Sequence, residues 1–238
     1  MNQNNRLMDR RSFLNLTGTV GIGLVAAGTG SLFWSMQPKR AIAAPVSPLS
    51  PDAALRRLMD GNQRFVQQKG EHPDQSQARI KEVAQAQHPF AALLSCADSR
   101  VPPEILFDEG IGDLFDIRVA GNIVTPEVLG SLEYAVDLLD TPLIMVLGHE
   151  RCGAVTAAVQ GKSLSGHIGS FVKAIKPAIS ETEGELDQLV DRAVVANVQY
   201  QIEKLKRNST ILSQGLLDGK LKIVGGRYDL DTGEVTLI

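Results

Sequence analysis

Two short stretches of the chain carry residues able to bind a soft metal: Ser95-Cys96-Ala97-Asp98-Ser99-Arg100 and His149-Glu150-Arg151-Cys152-Gly153. Between them they hold both cysteines of the chain and one of its 4 histidines. Two thiolates and an imidazole form a donor set that selects zinc over magnesium or calcium. Three protein ligands leave a fourth tetrahedral position open, which is the pattern of a catalytic zinc and not of a structural one. Plainer readings exist. A His-x-x-Cys pair arises often by chance, and buried free cysteines are ordinary packing residues. In an oxidising compartment Cys96 and Cys152 could also close a disulfide. Asp98 and Arg100 tilt the balance toward the metal. They follow Cys96 by two and four residues, on a turn with no evident structural need for them, although an ordinary surface ion pair would look the same in sequence.

These residues lie far apart along the chain, so the fold must bring them together. After Pro89 the run Phe90–Ser95 is continuously apolar, as a strand covered on both faces reads. Residues Leu114–Val119 read as a second strand, and Leu143–Leu147 as a third that ends at Gly148-His149. Helical patterns fall between and around them: about 50–69 opening on Ser50-Pro51-Asp52, 75–87, 125–139 with Thr125-Pro126 at its start, 152–159, and a long amphipathic stretch over 187–207. The chain ends in two β-rich runs joined by Asp231-Thr232-Gly233, a hairpin signal. Buried strands separated by helices predict an α/β fold with a mainly parallel central sheet flanked by helices. In such sheets ligands bind beyond the carboxyl ends of the strands. Both candidate stretches sit at those ends.

The whole composition agrees. The chain has 238 residues, 43% of them apolar and 21% charged, which fits a globular protein of one or two domains. Pervasive disorder, a collagen-like fibre, a polytopic membrane protein and a disulfide-stapled mini-domain are all excluded. The formal net charge of −3 gives no basic footprint for nucleic acid. That charge is uneven, because residues 1–43 carry Arg6, Arg10, Arg11, Lys39 and Arg40 against Asp9 alone. A Gly-rich apolar stretch, about Leu16 to Trp34, follows the basic end, and Ala41-Ile42-Ala43 supplies a small-x-small cleavage pattern. Arg10-Arg11-Ser12-Phe13-Leu14 resembles a twin-arginine export signal. The expected organisation is therefore a signal over 1–43, a linker over 44–51 with Pro45, Pro48 and Pro51, and one domain over 52–238. The mature protein is expected in a bacterial periplasm, or in a thylakoid lumen if the source is photosynthetic. An uncleaved N-terminal anchor is the alternative. His72, His88 and His167 read as solvated loop residues, and Lys204-x-Lys206-Arg207 as cations suited to a helix C-terminus.

Cys96-x-Asp98-x-Arg100 followed by His149-x-x-Cys152-Gly153 resembles the β-class carbonic anhydrases, over about Asp52 to the C-terminus. The resemblance implies one zinc per chain on Cys96, His149 and Cys152, with Asp98 and Arg100 as a catalytic dyad. It implies reversible hydration of carbon dioxide by a metal-bound hydroxide, and in a closed form Asp98 would take the fourth zinc position. It further implies that Gln87 hydrogen-bonds the substrate oxygens, that Phe115 and Ala120 line an apolar pocket, and that the Gly153 N–H faces substrate. A homodimer, or a tetramer built as a dimer of dimers, is implied as well. Its helical arm over 51–69 would pack on a partner subunit, and Gln87 and Phe115 would serve the partner's zinc. The bicarbonate-inhibited branch of the family uses a Trp and a Tyr at a second site. The only Trp here is Trp34, in the signal, so the chain resembles the plant-type, non-allosteric branch. The chain departs from many relatives at Glu150-Arg151, where Ser or Thr is common after the histidine, and at Ala97, where Ser is common. Carbon disulfide or carbonyl sulfide hydrolysis on the same zinc, or a non-catalytic zinc or redox protein, are the alternatives.

Overall fold

The structure, a computed structural model, describes residues 49–161, 164–179 and 184–238. The expected signal over 1–43 and all of the linker before Leu49 lie outside the described residues. What is described belongs to the unit Pro48–Ile238.

Five strands form one sheet in the order β2-β1-β3-β4-β5. They are β1 (Ala91–Ser95), β2 (Leu114–Arg118), β3 (Leu143–His149), β4 (Lys222–Tyr228) and β5 (Val235–Leu237). Pairings β1–β2, β1–β3 and β3–β4 are parallel, and β5 folds back antiparallel on β4. Every residue of β1 and β3 is buried. This is what their unbroken apolar runs require, because alternate side chains enter opposite layers. Ala91, Leu93, Leu143, Met145 and Leu147 enter one core. Ala92, Leu94, Ile144 and Val146 enter the other.

The first core is roofed by helix α1 (Pro51–Val66), which buries Ala54 and Leu58 completely. Burying a Leu side chain in this way stabilises the fold by about 1.5–3 kcal/mol. Ser50 caps α1 by accepting from the Ala53 amide at 3.2 Å, ahead of Pro51 at the first helical position. The inner stripe of α1 is thus covered by its own sheet, and only its outer side is available to a partner. Helix α2 (Gln77–Val83) buries no residue at all. A short helix α3 (Pro103–Leu106) after β1 was not evident in the sequence. It is only four residues long, too short for any periodicity to register.

The second core is covered by α4 (Pro126–Leu138), by α7 (Leu186–Asn208) and by α8 (Thr210–Leu217). Thr125 caps α4 as its sequence predicts. Helices α5 (Gly153–Gln160), α6 (Gly169–Ile175) and the first half of α7 enclose a third cluster around Cys96 and Cys152. The expected elements agree with these to within a few residues, except that the helix anticipated over 75–87 is only seven residues long. Glycines 110 and 112 and a run of turns replace regular structure where the chain returns to β2.

Candidate metal centre

The strand order makes the site. From β1 the chain crosses to β2 on one side, whereas β3 lies on the other side of β1. The loops leaving β1 and β3 therefore diverge, and a crevice opens at their carboxyl ends. Cys96 is the first residue past β1, His149 the last of β3, and Cys152 the residue that caps α5.

These three residues converge. Their ligand atoms lie within 4.8 Å of one another, and all three are buried. The two sulfurs are 4.0 Å apart, and both thiols are free. Two sulfurs bound tetrahedrally at about 2.3 Å from one zinc would stand roughly 3.8 Å apart, so the spacing fits the ion with almost no adjustment. His149 is fully buried, and its Nδ1 contacts the Glu150 carbonyl at 2.8 Å. A carbonyl can only accept, so Nδ1 carries the proton and Nε2 keeps its lone pair. That Nε2 is buried with no hydrogen-bond partner. A buried imidazole nitrogen without a partner costs on the order of 1–3 kcal/mol. A metal would remove that cost.

The thiols are prepared for the same ion. Cys96 is driven well below the ordinary thiol range, first by the thiol of Cys152 donating to it, and also by the Gly121 amide at 3.3 Å. Cys152 is pushed up by the same shared proton and by burial, while the amides of Val155 and Ala154 at the start of α5 act to lower it. The pair therefore holds one proton where two thiolates are needed, and a dication takes its place on binding.

Asp98 stands beside this cluster with one carboxylate oxygen 3.9 Å from His149 Nε2. Arg100 grips it in a fork, Nε to Oδ1 at 2.9 Å and a terminal nitrogen to Oδ2 at 2.8 Å, and the Arg100 amide adds a third bond at 2.9 Å. The Arg100 side chain, through these bonds, holds the Asp98 carboxyl far below the usual carboxylate range despite the opposing effect of burial. Asp98 is thus ionised at neutral pH. It remains outside the three-ligand cluster while Arg100 holds it.

Several positioning groups were not found from sequence. Arg118, at the end of β2, donates to the carbonyls of Cys96 at 3.1 Å and Asp98 at 2.5 Å, so it pins the whole 96–98 turn. Gly121 adopts φ +73, and a Cβ there would lie 2.6 Å from Ile175 Cδ1. Its carbonyl accepts from Asn197, whose own Oδ1 accepts from Gln201, and Gln201 in turn accepts from the Val124 amide. Two buried amide side chains of α7 thus hold the loop that donates to Cys96. A lone glycine just past a strand was the one available signal.

The remaining expected site residues divide in two. Ala120 packs against the cluster around Cys96 and Cys152, and Gly153 opens α5 immediately after Cys152 with open space where a Cβ would be. Gln87 and Phe115 lie elsewhere. Gln87 precedes β1, whereas Cys96 follows it, and an extended five-residue strand spans roughly 17 Å. Phe115 pairs in register with Ala92, near the start of β1, and packs in the second core with its ring centroid 6.2 Å from that of Tyr134.

A mainly parallel sheet with a three-ligand Cys2His cluster at its switch point, flanked by a forked carboxylate–arginine pair, defines an α/β protein with a soft-metal centre. Comparison with known proteins makes this specific. The carbonic anhydrase family profile matches residues 91–235. A carbonic anhydrase of Mycolicibacterium smegmatis is 42% identical over 192 residues, covering 79% of this chain and 93% of that protein. The solved β-carbonic anhydrase CcaA aligns with a TM-score of 0.63 at 27% identity, over 77% of this chain and 94% of its own. A tetrameric β-carbonic anhydrase of Sordaria macrospora shares the fold, with a TM-score of 0.64 at 22% identity over 77% of this chain and 96% of its own. The chain belongs to the carbonic anhydrase family, in its β class.

Proposed function

We propose that the chain catalyses the reversible hydration of carbon dioxide to bicarbonate and a proton, with one zinc ion per chain held by Cys96, His149 and Cys152. The observation that carries this reading is the unpartnered His149 Nε2, buried beside two thiols and 3.9 Å from an ionised carboxylate. The names of its relatives favour carbon dioxide over carbon disulfide or carbonyl sulfide.

Carbon dioxide has no charge and no net dipole, so ion pairing cannot bind it. When bound, zinc supplies Lewis acidity that brings the pKa of a water toward neutrality. The chain does the rest. Asp98, kept ionised by Arg100, accepts a hydrogen bond from the attacking oxygen and so aims that oxygen's lone pair at carbon. Arg can hold a carboxylate in a fork and Lys cannot, which is why the partner is Arg. The Gly153 N–H, at the mouth of α5, meets negative charge growing on the product oxygens. Ala120 keeps a small apolar wall beside the cluster.

Gln87 and Phe115 complete the pocket of a second subunit in this reading, because they lie at the far end of the strands from their own cysteines. The exposed α2 and the open edge of β2 suit them to that role, as does the tetrameric assembly of proteins that share the fold. The absence of any Trp from 52–238 favours the plant-type, non-allosteric branch. We further read residues 1–43 as a twin-arginine signal that sends the folded domain over 52–238 to the periplasm. Loading zinc before export would keep both thiols from oxidation. The test is elemental analysis of the protein purified without chelators, paired with stopped-flow hydration of carbon dioxide. One zinc per chain with rapid hydration is expected, and both should vanish in Cys152→Ser. A protein that binds no metal, or a Cys152→Ser variant with undiminished metal, would overturn the reading.

A further inference from the structure

The residue that follows the ligand histidine is held more tightly than a loop residue needs to be. Glu150 has both backbone groups and both carboxylate oxygens engaged. Its amide donates to the Tyr228 carbonyl at 3.0 Å, one residue past the last register pair of β3 and β4. Its Oε1 accepts from Arg227 at 2.6 Å, and its Oε2 accepts from the Leu230 amide at 3.2 Å. Its carbonyl accepts from His149 Nδ1 at 2.8 Å. Arg227 is itself fixed by Asp191 of α7, with Nε to Oδ1 at 2.8 Å. The Glu150 and Arg227 side chains are only 18% and 21% exposed. The next residue, Arg151, has φ +48, an unfavoured conformation for a side-chain-bearing residue. Its guanidinium forks onto Asp231 in the β4–β5 turn at 2.9 and 2.8 Å.

Every hydrogen bond of residue 150 apart from that at its carbonyl goes to β4 or the turn that follows, and Arg151 adds a looser ion-pair contact at 3.8 Å. Those attachments fix where its carbonyl points. We propose that Glu150, locked by Arg227 and the Leu230 amide, is a positioning residue for the metal ligand His149. It holds the acceptor that keeps the proton on Nδ1 and turns Nε2 toward the two sulfurs. Groups that orient a metal-bound imidazole in this way normally act through its second nitrogen, and their loss weakens metal binding. Here the orienting acceptor is a peptide carbonyl, so a side chain one covalent step removed does the holding. Cutting Glu150 frees residues 149–152 to relax from the strained Arg151 conformation, and the imidazole loses its fixed tilt. Asp229, Asp231 and Glu150 gather their carboxylates closely, but Arg151 pairs with Asp231, Arg227 with Glu150, and Asp229 accepts from the amides of Asp231 and Thr232, so the cluster carries no cation site.

This inference rests on the metal site proposed above, and its test separates the two. Zinc-loaded wild-type, Glu150→Ala, Glu150→Gln and Asp231→Ala proteins are challenged with a chromogenic chelator, and release is followed in time. Cobalt-loaded forms are compared by visible absorption. Glu150→Ala should release zinc about 10-fold faster than wild type and shift the cobalt bands. Glu150→Gln, which keeps an acceptor for the Leu230 amide, should fall between. Asp231→Ala, which frees the Arg151 side chain but leaves the Arg227 and Leu230 hydrogen bonds of Glu150 in place, should stay near wild type. A merely structural role would lower the urea midpoint of the zinc-free protein and leave release and spectrum unchanged. That result overturns the inference alone. A wild-type protein that holds no zinc overturns both readings. If Glu150→Ala does not fold, Glu150→Gln and Arg227→Lys carry the test, and release at the wild-type rate in both is the overturning result.

Discussion

Asp98 and Arg100 show how two residues can settle one protonation state. The carboxylate is part-buried, which alone would favour its neutral form, yet three hydrogen bonds from a single arginine reverse the outcome. Arg100 is itself 52% exposed, so the pair contributes little to folding and its value lies in orientation. Asp98→Asn replaces the carboxylate that accepts a hydrogen bond from the attacking oxygen and leaves the three metal ligands untouched. It should keep one zinc per chain and lose hydration activity by about 10²-fold or more, the order that a lost orientation of a reacting group costs. Metal analysis and stopped-flow rates on the same preparation check both halves. Undiminished turnover would remove Asp98 from the mechanism. The ligand types and this pair were readable from sequence because their chemistry is carried by residue identity. Arg118 was not, since its contacts are to backbone carbonyls that any residue presents.

At the scale of elements, the strands were legible and the braces between them were not. Continuous apolar runs announce β1 and β3 because both faces are buried. The long α7 announces itself by periodicity, but nothing in that pattern says that Asn197 and Gln201 turn inward to hold the 120–124 loop. Asn197→Ala should leave the Gly121 carbonyl without its partner and destabilise the fold by about 1–3 kcal/mol. Gly121→Ala combines the φ penalty with a contact at 2.6 Å to Ile175, and should cost about 2–4 kcal/mol. Urea unfolding measures both, and coincident curves for wild type and Gly121→Ala would contradict the packing. The edge strand β2 carries a different liability. Both oxygens of Asp116 are buried without a hydrogen-bond partner. Burial, and the Glu104 carboxylate beside it, push the Asp116 pKa up to about 8. The folded state therefore binds a proton that the unfolded chain has already released above about pH 4. Stability from this group is complete below that pH and is lost as pH rises toward 8. Asp116→Asn should flatten the decline. Thermal midpoints should match wild type near pH 4 and exceed it near pH 8.5, and a variant with an unchanged slope would show that Asp116 is not the group responsible.

The whole molecule poses the question of how a pocket is completed. One chain assembles three ligands, the Asp98–Arg100 pair, Ala120 and Gly153 at one end of its sheet. It places Gln87 at the other end, exposed, and Phe115 well before the strand termini. If both residues act across a two-fold axis, each site is made by two subunits, and damage in one chain can be covered by the other. Gln87→Ala alone leaves both metal sites intact and both pockets incomplete. Cys152→Ser alone abolishes both metal sites and leaves Gln87 intact. When the two variants are mixed through a dissociating step, each mixed dimer should contain one whole site, formed by the metal cluster of the first chain and Gln87 of the second. Random isologous pairing makes half of the dimers mixed, so the mixture should recover about a quarter of wild-type hydration activity from two nearly inactive parents. Sedimentation before and after mixing confirms that the species is oligomeric. A mixture no more active than the average of its parents would mean that Gln87 serves no neighbouring metal, and that each chain works alone.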